Sequence, residues 1–415
     1  MYTLLTYIAF FVMRILSIRN KKIATQLKGM RKTFPLLKQH INSDQQWVWF
    51  HVSSLGEFEQ GRPLIEELRR RRPDLKILLS FFSPSGYEVK KDYEGADLVC
   101  YLPLDTWINA TRFVRIVKPT AAIFVKYDLW PNYLMALYKK HVPTYLASSI
   151  FRSTQFYFKN YGRYYRRVLR KITHIFVQNV YSEILLDKFN IKQVTVTGDT
   201  RFDRVQAVRK AAKDLPLLAR FSNDGDEQFT IIAGSSWPVD EAFILPYVKA
   251  NPAVKLIIAP HTFDEERLQT IENTLGKEIT LRYTQFEEQY THQKRCLILD
   301  CFGLLSSCYR YGSVAYIGGG FGAGIHNLPE AAVYGIPVLF GPKNEKFREA
   351  RELILMGGGK QLDSPYEFGT TIDALRNDAD AHKEMGMLAG AYVRTQSGAT
   401  PKIMDHILND LNNKD

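Results

Sequence analysis

The sequence predicts an α/β protein built from two doubly wound parallel-sheet domains. Short apolar runs alternate with longer amphipathic stretches along most of the chain, which is the pattern of βα units. A charged, strandless interruption over residues 205–228 divides this alternation into two series. The 415 residues are 46% hydrophobic and 24% charged, which is typical of globular proteins and argues against a disordered, fibrous or polytopic membrane protein.

The charge and the cysteines narrow the class of protein further. The net charge is +12, and an excess of this size favours an anionic partner such as nucleic acid, a membrane surface or a phosphorylated substrate. Four cysteines without a CxxC pair suit neither a disulfide framework nor a zinc site. We therefore expect no metal site and unpaired thiols in a reducing compartment, at Cys100, Cys296, Cys301 and Cys308.

The chain begins with an apolar run over residues 2–18 that only Arg14 interrupts, and Arg19, Lys21 and Lys22 follow it. Its 17 residues are at the lower limit for crossing a bilayer. No small-residue cleavage site follows, so residues 1–22 are predicted to be an uncleaved anchor that spans the membrane or lies in its interface. The basic cluster would keep the rest of the protein on the cytoplasmic side. A buried core helix is the alternative.

Residues 23–204 form the first predicted domain. The segment Ser53–Phe58 lies where its first strand ends and a helix begins, which makes Glu57 a candidate general base. A carboxylate in a first helical turn is also stabilised by the helix dipole, and both interpretations stay open. The predicted strands of this domain are 46–52, 76–82, 121–125, 144–147, 175–178 and 193–197.

Residues 205–228 are predicted to be a linker, residues 229–395 a second domain, and residues 396–415 a C-terminal helix that packs back on the first domain. Ligands of doubly wound sheets bind at the carboxyl ends of the strands, so we expect a substrate cleft between the two domains. The predicted strands of the second domain are 229–236, 254–260, 295–300, 313–320 and 336–341.

Residues 316–330 (YIGGGFGAGIHNLPE) are predicted to be a strand, a glycine-rich loop and a helix start. The glycines would let the backbone approach a ligand, and the helix start would offer N–H groups to a phosphate. Asn327 and Glu330 also fit a capping box. No Gly-Lys-Ser/Thr follows, which excludes a Walker loop, and the late position disfavours an NAD fingerprint. A nucleotide-bearing donor is the expected ligand.

Two further groups of residues suggest binding surfaces. Arg201, Ser235, Ser236, His261 and Gly303 each follow a predicted strand, so they would converge at the carboxyl edges of the sheets. A basic, aromatic segment at residues 152–171, together with the arginines at 69–72, could stack on nucleic acid, but the apolar N-terminus favours a membrane surface. A solvated helix face is the alternative. The segment's basic residues include Arg163, Arg166, Arg167, Arg170 and Lys171.

Several short segments, taken in order, resemble one known family. WFHVSSLGE at 49–57, DLWPN at 128–132 and TGDTRFD at 197–203 are followed by AGSS, Pro260-His261, GGGFGAGIHNLPEAA and Gly341-Pro342. Together they are similar to the motifs of the 3-deoxy-D-manno-octulosonic acid (Kdo) transferases. Members of that family are membrane-associated glycosyltransferases that add Kdo from CMP-Kdo to a lipid A precursor.

The resemblance implies a GT-B fold, two Rossmann-like domains facing a central cleft, and inverting chemistry without metal or cofactor. It implies a role in lipopolysaccharide biosynthesis on the cytoplasmic side of the inner membrane, with an anionic membrane surface and no nucleic acid as partner. Glu57 would be the base and Arg201 a cation that stabilises the transition state, and Asp128 would be the third catalytic residue. Ser54, Gly56 and Arg62 would bind the acceptor. The donor would contact Ser235, Ser236, Pro260, His261, Phe302, Gly303, Leu304, Gly320, Asn327, Leu328, Pro329 and Glu330.

The chain departs from the family pattern near both predicted ligands. Lys126 stands where the family has a glutamate, and Leu304 where it often has another. Two other classes stay open: another GT-B enzyme of the envelope or a nucleotide-sugar epimerase, and a non-enzymatic protein that binds the membrane surface. The second class needs neither Glu57 nor the glycine-rich loop.

Overall fold

The computed structural model describes residues 2–42, 44–212, 214–224, 229–322 and 324–412. Its contacts divide the chain into two compact units. Unit 1 contains Met1–Arg204 and Ser397–Asp415, and unit 2 contains Val205–Gln396. Each unit is built on one seven-stranded parallel sheet.

Unit 1 alternates strands with helices over its whole length. Its strands are β1 (Trp47–Val52), β2 (Lys76–Phe81), β3 (Leu98–Tyr101), β4 (Ala121–Val125), β5 (Thr144–Ser149), β6 (His174–Val177) and β7 (Val194–Val196). Its helices are α1 (Tyr2–Leu16), α2 (Lys21–His40), α3 (Leu55–Arg71), α4 (Pro84–Lys90), α5 (Trp107–Val117), α6 (Pro131–Lys139), α7 (Arg163–Leu169), α8 (Val180–Asp187) and the start of α9 (Thr200–Lys210).

The sheet of unit 1 has the order β3-β2-β1-β4-β5-β6-β7. All six residues of β1 are buried, because helices cover both faces of a parallel sheet. The chain first builds outward from β1 through β2 and β3 and then crosses to β4 on the other side. The loops after β1 and β4 therefore diverge, and such a switch point is where doubly wound sheets bind ligands.

Unit 2 repeats this plan. Its strands are β8 (Phe229–Ser236), β9 (Val254–Pro260), β10 (Thr280–Arg282), β11 (Cys296–Ile298), β12 (Val314–Ile317), β13 (Val338–Phe340) and β14 (Gly359–Gln361). Its sheet order, β10-β11-β9-β8-β12-β13-β14, places the switch point between β8 and β12. Its further helices are α10 (Pro216–Asn223), α11 (Pro238–Ala250), α12 (Glu265–Leu275), α13 (Phe286–Gln289), α14 (Leu305–Cys308), α15 (Leu328–Ala332), α16 (Arg348–Leu355), α17 (Pro365–Asn377) and α18 (Ala379–Gln396).

The last helix, α19 (Ala399–Asn412), belongs to unit 1. Its apolar side chains Ile403, Met404 and Ile407 are fully buried in the same core cluster as Phe58 of α3. Asp203 accepts hydrogen bonds from the backbone N–H groups that precede and begin α19, including a 2.6 Å bond from Thr400. The C-terminal segment is thus an integral part of the unit that carries Glu57.

Residues 205–228, predicted to be a linker, contain the end of α9 and all of α10. Leu218 and Phe221 of α10 are fully buried. The ammonium of buried Lys255 in β9 donates to the carbonyls of Phe221 and Asp224, at 2.7 Å for Asp224. The described part of this segment is therefore anchored in unit 2.

The N-terminal helix α1 has no buried residue, so it is not a core helix. On one side Phe10 and Met13 pack against Leu27 and Met30 of α2. The other side exposes apolar side chains to solvent, among them Leu4, Leu5, Ile8, Phe11, Val12 and Ile15. Among the described helices, none combines the length and the apolar character needed to cross a bilayer.

The basic, aromatic segment at 152–171 folds as two 3₁₀ turns followed by α7. Arg166 donates to the carbonyls of Tyr157 and Lys159, at 2.6 and 2.8 Å, and Lys171 donates to Tyr138. These cations therefore hold the fold of the segment, whereas Arg163 and Arg167 are exposed.

Candidate active site

Glu57 lies in the first turn of α3, directly after the carboxyl end of β1. Its carboxylate accepts a hydrogen bond from the Ser54 hydroxyl. The ammonium of Lys126, which follows β4, is 3.6 Å from Glu57 Oε1. The side chain of Glu57 is 19% exposed and that of Lys126 is 27% exposed. The switch point of unit 1 thus carries a partly shielded carboxylate with a cation beside it.

Lys126 has a left-handed backbone conformation, with φ of 62°. This conformation is costly for a residue with a Cβ, so the surroundings must hold it. The Lys126 N–H donates to the carbonyl of Ala147 in β5, at 2.8 Å, and its carbonyl accepts from the Ser149 hydroxyl. The clamped backbone fixes the start of the side chain whose ammonium reaches Glu57.

Asp128 lies two residues further along the same loop. It accepts a hydrogen bond from the Ser53 hydroxyl, and its Oδ2 is 3.2 Å from Nε2 of the fully buried His51. The other ring nitrogen of His51 is 2.9 Å from Ser80 Oγ, which also accepts a 2.7 Å bond from Trp49. Asp128 is therefore tied to the interior of the sheet, and it shares the loop after β4 with Lys126.

Arg201 begins α9 next to the carboxyl end of β7. Its Nε donates to Asp199 Oδ2 at 2.9 Å. Asp199 also accepts a 3.0 Å bond from Gln60 of α3, and the Thr200 hydroxyl donates to the Gln60 carbonyl at 2.6 Å. These bonds tie the loop that carries Arg201 to the helix that carries Glu57.

The three predicted acceptor residues have different surroundings. Ser54 contacts Glu57, and a Cβ added at Gly56 would meet only Ser54 Oγ, at 3.8 Å, so the backbone there is open to close approach. Arg62 instead donates to Glu66 at 2.7 Å, and its guanidinium lies 5.8 Å from the centre of the Tyr93 ring. The contacts of Arg62 with Glu66 and Tyr93 therefore lie on a different side of α3 from Glu57.

In unit 2, the end of β8 carries Ser235 and Ser236. Ser235 has a left-handed φ of 53°. Ser236 is buried and donates to Glu241 Oε1 at 2.7 Å, and Arg267 lies 2.7 Å from the same oxygen. Burial raises the pKa of Glu241, against the opposing effects of the Ser236 hydroxyl and Arg267. Ser236 thus belongs to a buried polar cluster under the end of β8.

Some of the glycines after β12 are closely packed inside the protein. A Cβ at Gly318 would lie 2.3 Å from the Ser235 carbonyl oxygen, and one at Gly320 would lie 2.5 Å from the Gly341 nitrogen. At these two positions the absence of a Cβ is therefore required by packing inside the protein. Only Gly322 keeps open space around it, with nothing within 4 Å of an added Cβ.

Three amides of this loop donate to acceptors inside the protein. The N–H of Gly319 donates to Asp240 at 2.9 Å, and the same carboxylate accepts from Trp237 N–H at 2.9 Å and from the Tyr316 hydroxyl at 2.7 Å. The amides of Gly322 and Gly324 both donate to the Gly319 carbonyl, at 2.9 Å. These three amides are therefore not available to a bound anion.

His261 follows the end of β9, and its amide donates to the Ser236 carbonyl at 2.9 Å. Its ring stacks on Trp237, with centroids 4.5 Å apart and planes at 18°, and lies 4.8 Å from the ring of His326. Trp237 Nε1 donates to His326 Nε2 at 3.4 Å. Burial, with a smaller effect of His261, holds the pKa of His326 below its ordinary value.

The remaining donor candidates lie on neighbouring loops. Pro260 is the last residue of β9 and is buried. Phe302 is 87% exposed, and its ring lies 4.5 Å from that of Phe263. Gly303 has a positive φ of 86° with open space around it, and Leu304 precedes α14. The exposed Phe302 is an aromatic surface available to a base or sugar.

The helix α15 has only five residues, and Leu328 and Pro329 within it are buried. Asn327 occupies the N-cap position, but its side chain caps no backbone N–H; it donates to Glu330 Oε1 at 2.6 Å. The capping box predicted as an alternative for this pair is therefore wrong, because the two side chains bind each other.

Sequence reasoning missed several groups at both sites. Asp199, Trp237, Asp240 and His326 acquire their partners only in three dimensions. Lys343, whose amide donates to the Gly320 carbonyl at 2.8 Å and whose ammonium donates to the Gly322 carbonyl at 3.3 Å, adds a cation to the glycine-rich loop. The acidic pair Asp240-Glu241 lies shortly after the end of a predicted strand. It was the local sequence pattern that could have indicated this part of the site. Within the described ranges, no three His, Cys, Asp or Glu residues are grouped to hold a metal ion.

Comparison with known proteins shows which proteins this chain resembles. Residues 28–204 match the family model described as 3-deoxy-D-manno-octulosonic-acid transferase (kdotransferase). A Kdo transferase of Aquifex aeolicus is 27% identical over 379 residues, covering 89% of this chain and 97% of the relative. Those of Bordetella pertussis (27%) and Haemophilus influenzae (24%) cover 86% and 87% of this chain, and 86% of each relative. The chain is similar to Kdo transferases over most of its length. It is a glycosyltransferase.

Solved structures show the same fold. A UDP-GlcNAc 2-epimerase of Neisseria meningitidis has a TM-score of 0.62 at 15% identity, covering 88% of this chain and all of that one. MurG of Acinetobacter baumannii has a TM-score of 0.57 at 12% identity, covering 88% of this chain and 99% of that one. Identities this low show the fold alone. They confirm the prediction of two parallel-sheet domains of the GT-B type.

Proposed function

We propose that this enzyme transfers Kdo from CMP-Kdo to a hydroxyl of a lipid A precursor, in the synthesis of lipopolysaccharide. The observation that carries the proposal is the pair of switch points. One bears a shielded carboxylate, Glu57, and the other bears a polar cluster around Ser236, Trp237 and His326. A transferase needs a base for its acceptor and an anion site for its leaving group, and the similarity to Kdo transferases suggests the sugar.

In unit 1, Glu57 is the group that accepts the proton of the acceptor hydroxyl as its oxygen bonds to the anomeric carbon of Kdo. The bond between that carbon and the CMP phosphate breaks on the opposite face, so the configuration inverts. Ser54 and Lys126 orient the carboxylate through their contacts with it. Gly56 leaves room for the acceptor, and Asp128 orders the loop after β4.

The leaving phosphate gains negative charge as this bond breaks, so fixed cations and N–H donors lower the barrier. Arg201 is the proposed cation of unit 1, held by Asp199 at its Nε. In unit 2, His261, Phe302, Gly303 and the Asn327–Glu330 pair are the proposed contacts to CMP. Glu330 would accept hydrogen bonds from hydroxyls of the ribose.

The acceptor is a lipid, and the N-terminal helix fits a location at the membrane. Its exposed apolar face and the cations Arg14 and Arg19 suit a helix that lies in the interface of an anionic bilayer. Tyr2 donates to Asp105 at 2.7 Å and lies 5.8 Å from the ring of Tyr164, which joins α1 to the surface of α7. We propose peripheral attachment at the cytoplasmic side of the inner membrane.

The direct test is incubation of purified enzyme with freshly generated CMP-Kdo and a detergent-dispersed lipid A precursor. We expect the mass of one or more Kdo residues on the lipid and release of an equal amount of CMP. CMP release without added lipid mass would indicate a hydrolase. Transfer from a UDP-sugar but not from CMP-Kdo would support another envelope glycosyltransferase.

A further inference from the structure

The pairing of Trp237 with His326 has a chemical consequence. An indole Nε1–H can only donate, so the Nε2 atom of His326 that receives it at 3.4 Å must be an unprotonated acceptor. An imidazole with Nε2 unprotonated carries its proton on Nδ1. Trp237 therefore selects one neutral tautomer of His326.

The surroundings of His326 also favour its neutral form. His261 packs 4.8 Å away, and two imidazolium rings at that distance would repel each other. Asp240 is the acidic group that faces this site, and it already accepts hydrogen bonds from Trp237 N–H, Gly319 N–H and the Tyr316 hydroxyl. Burial further disfavours the charged ring, and the pKa of His326 lies below its usual range.

The Nδ1–H of His326 has no hydrogen-bond acceptor within the part of the chain that the structure describes. It lies beside a glycine-rich loop whose amides at 319, 322 and 324 are bonded internally. These three amides are therefore not available to the anionic oxygens of a ligand at the end of β8. The imidazole N–H is a donor that remains.

We propose that Trp237 fixes His326 as a neutral imidazole protonated on Nδ1, and that this N–H binds a phosphate oxygen of the CMP-linked donor. Trp237 is then a positioning residue and His326 a donor-binding residue. The inference rests on the proposed function for the identity of the nucleotide. The tautomer itself does not depend on it.

Amide substitutions separate the two ring nitrogens. The amide nitrogen of Asn reaches about as far as Nδ1 of His, and that of Gln about as far as Nε2. By calorimetric titration with CMP, we expect His326→Asn to stay within about threefold of the parent affinity. His326→Gln should lose about 10- to 100-fold, as for a hydrogen bond to a charged group. Equal affinities for both variants would contradict the proposal.

Trp237→Phe keeps an aromatic ring against His261 but lacks the indole N–H, and its ring is smaller. We expect it to weaken CMP binding at pH 7.5 by about 3- to 10-fold, and the ratio to the parent affinity should shrink toward pH 6, where the released ring can protonate. Trp107→Phe, the same exchange in α5 of unit 1, is the matched control. A ratio that stays constant with pH would overturn the positioning role.

Nitrogen-15 NMR of histidine-labelled protein reads the tautomer without any ligand. The His326 resonances, assigned by their loss in His326→Asn, should show Nδ1–H in the parent and lose that form in Trp237→Phe. An Nε2–H ring in the parent refutes the inference. If the parent fails to bind CMP while the tautomer is as expected, the proposed donor is wrong and the Trp237–His326 pairing stands.

Discussion

At the scale of single residues, the candidate site of unit 1 depends on charges held in fixed positions. Arg201 is held at its Nε by Asp199, which is itself bonded to Gln60 of α3. Lys126 is held through its backbone and reaches Glu57 with its ammonium. The two cations make separate predictions, because Arg201 contacts Asp199 and Lys126 contacts Glu57.

Replacing Arg201 by Ala removes a cation proposed to face the leaving phosphate. We expect turnover to fall about 100- to 1000-fold, as is typical for loss of one such group. The fold should be retained, because Asp199 keeps its bonds to Gln60 and to a backbone N–H. Arg201→Lys should recover part of the rate, and Arg209→Ala, on the same helix, is the control. A normal rate in Arg201→Ala would make the residue purely structural.

Lys126 permits a test of its strained backbone apart from its charge. Lys126 has a φ of 62°, a conformation that costs a residue with a Cβ about 1 kcal/mol of stability. Lys126→Gly removes this cost, and Lys126→Ala retains it. We therefore expect the Gly variant to be the more stable of the two in urea unfolding, by about that amount. Both should lose activity equally, since both lack the ammonium beside Glu57. A Gly variant less stable than the Ala variant would show that the conformation is not retained.

Residue patterns in the sequence identified Glu57, Arg201 and His261 at strand ends, because a strand followed by a polar residue is a local signal. The Trp237–His326 bond and the Asp240–Gly319 bond join residues 89 and 79 positions apart, and no local pattern encodes such pairs. No local pattern indicates either that the glycine-rich backbone packs closely against Ser235 and Gly341. Glycine spacing alone does not distinguish room for a ligand from room for the chain itself.

At the scale of elements, the strands predicted from apolar runs are confirmed, and three were missed. β3, β10 and β14 have four, three and three residues. β10 and β14 read TLR and GKQ, which lack an apolar run. All three lie at edges of the sheets, where one neighbouring strand is enough and full burial is not required. The switch points are formed by central strands, which were predicted. Missing the three edge strands therefore does not change where the sites are predicted to lie.

The start of α6 gives a prediction about pH. Asp105 caps this helix by accepting from the N–H groups of Asn132 and Tyr133, at 3.1 and 3.0 Å, and it accepts from Tyr2. Burial raises the pKa of Asp105 to about 6, although these bonds oppose the shift. The ordinary pKa is about 3.9, so below pH 6 the folded protein binds a proton that the unfolded chain does not.

The stabilisation from this proton is fully present below about pH 4 and is lost as the pH rises through 6. We expect the unfolding free energy of the parent, relative to Asp105→Asn, to increase by about 1.4 kcal/mol per pH unit between pH 6 and 4. Urea unfolding of both proteins over pH 4 to 7 measures the difference. A difference that is constant with pH, or that grows toward neutral pH, would contradict the raised pKa.

At the scale of the whole molecule, we propose that unit 1 binds the acceptor at the membrane and that unit 2 binds the donor. The N-terminal helix α1 is the part of unit 1 that we expect to contact the membrane. Its apolar face is exposed and its other side is only half-buried, so it contributes little to the core. The sequence indicated the apolar run, but only the fold shows which of its side chains remain exposed.

Deleting residues 1–18 should leave a folded enzyme that still acts on detergent-dispersed acceptor. Its binding to anionic vesicles should weaken strongly in a sedimentation assay, because the exposed apolar face is lost. Binding by the parent should decrease with salt, at about 1 kcal/mol per basic residue near the surface. Unchanged vesicle binding after the deletion would remove α1 from the membrane contact.

The central claim is that unit 1 supplies the base and unit 2 binds the donor. Glu57→Gln keeps the size of the side chain but cannot accept a proton, and Glu59→Gln, on the same helix, is its matched control. The deciding measurement is the transfer rate of Glu57→Gln together with its affinity for CMP. We expect the transfer rate of Glu57→Gln to be at least about 100-fold below that of the parent and of Glu59→Gln, and its affinity for CMP to be within about twofold of the parent. A near-normal rate, or a loss of CMP binding equal to the loss of rate, would contradict it.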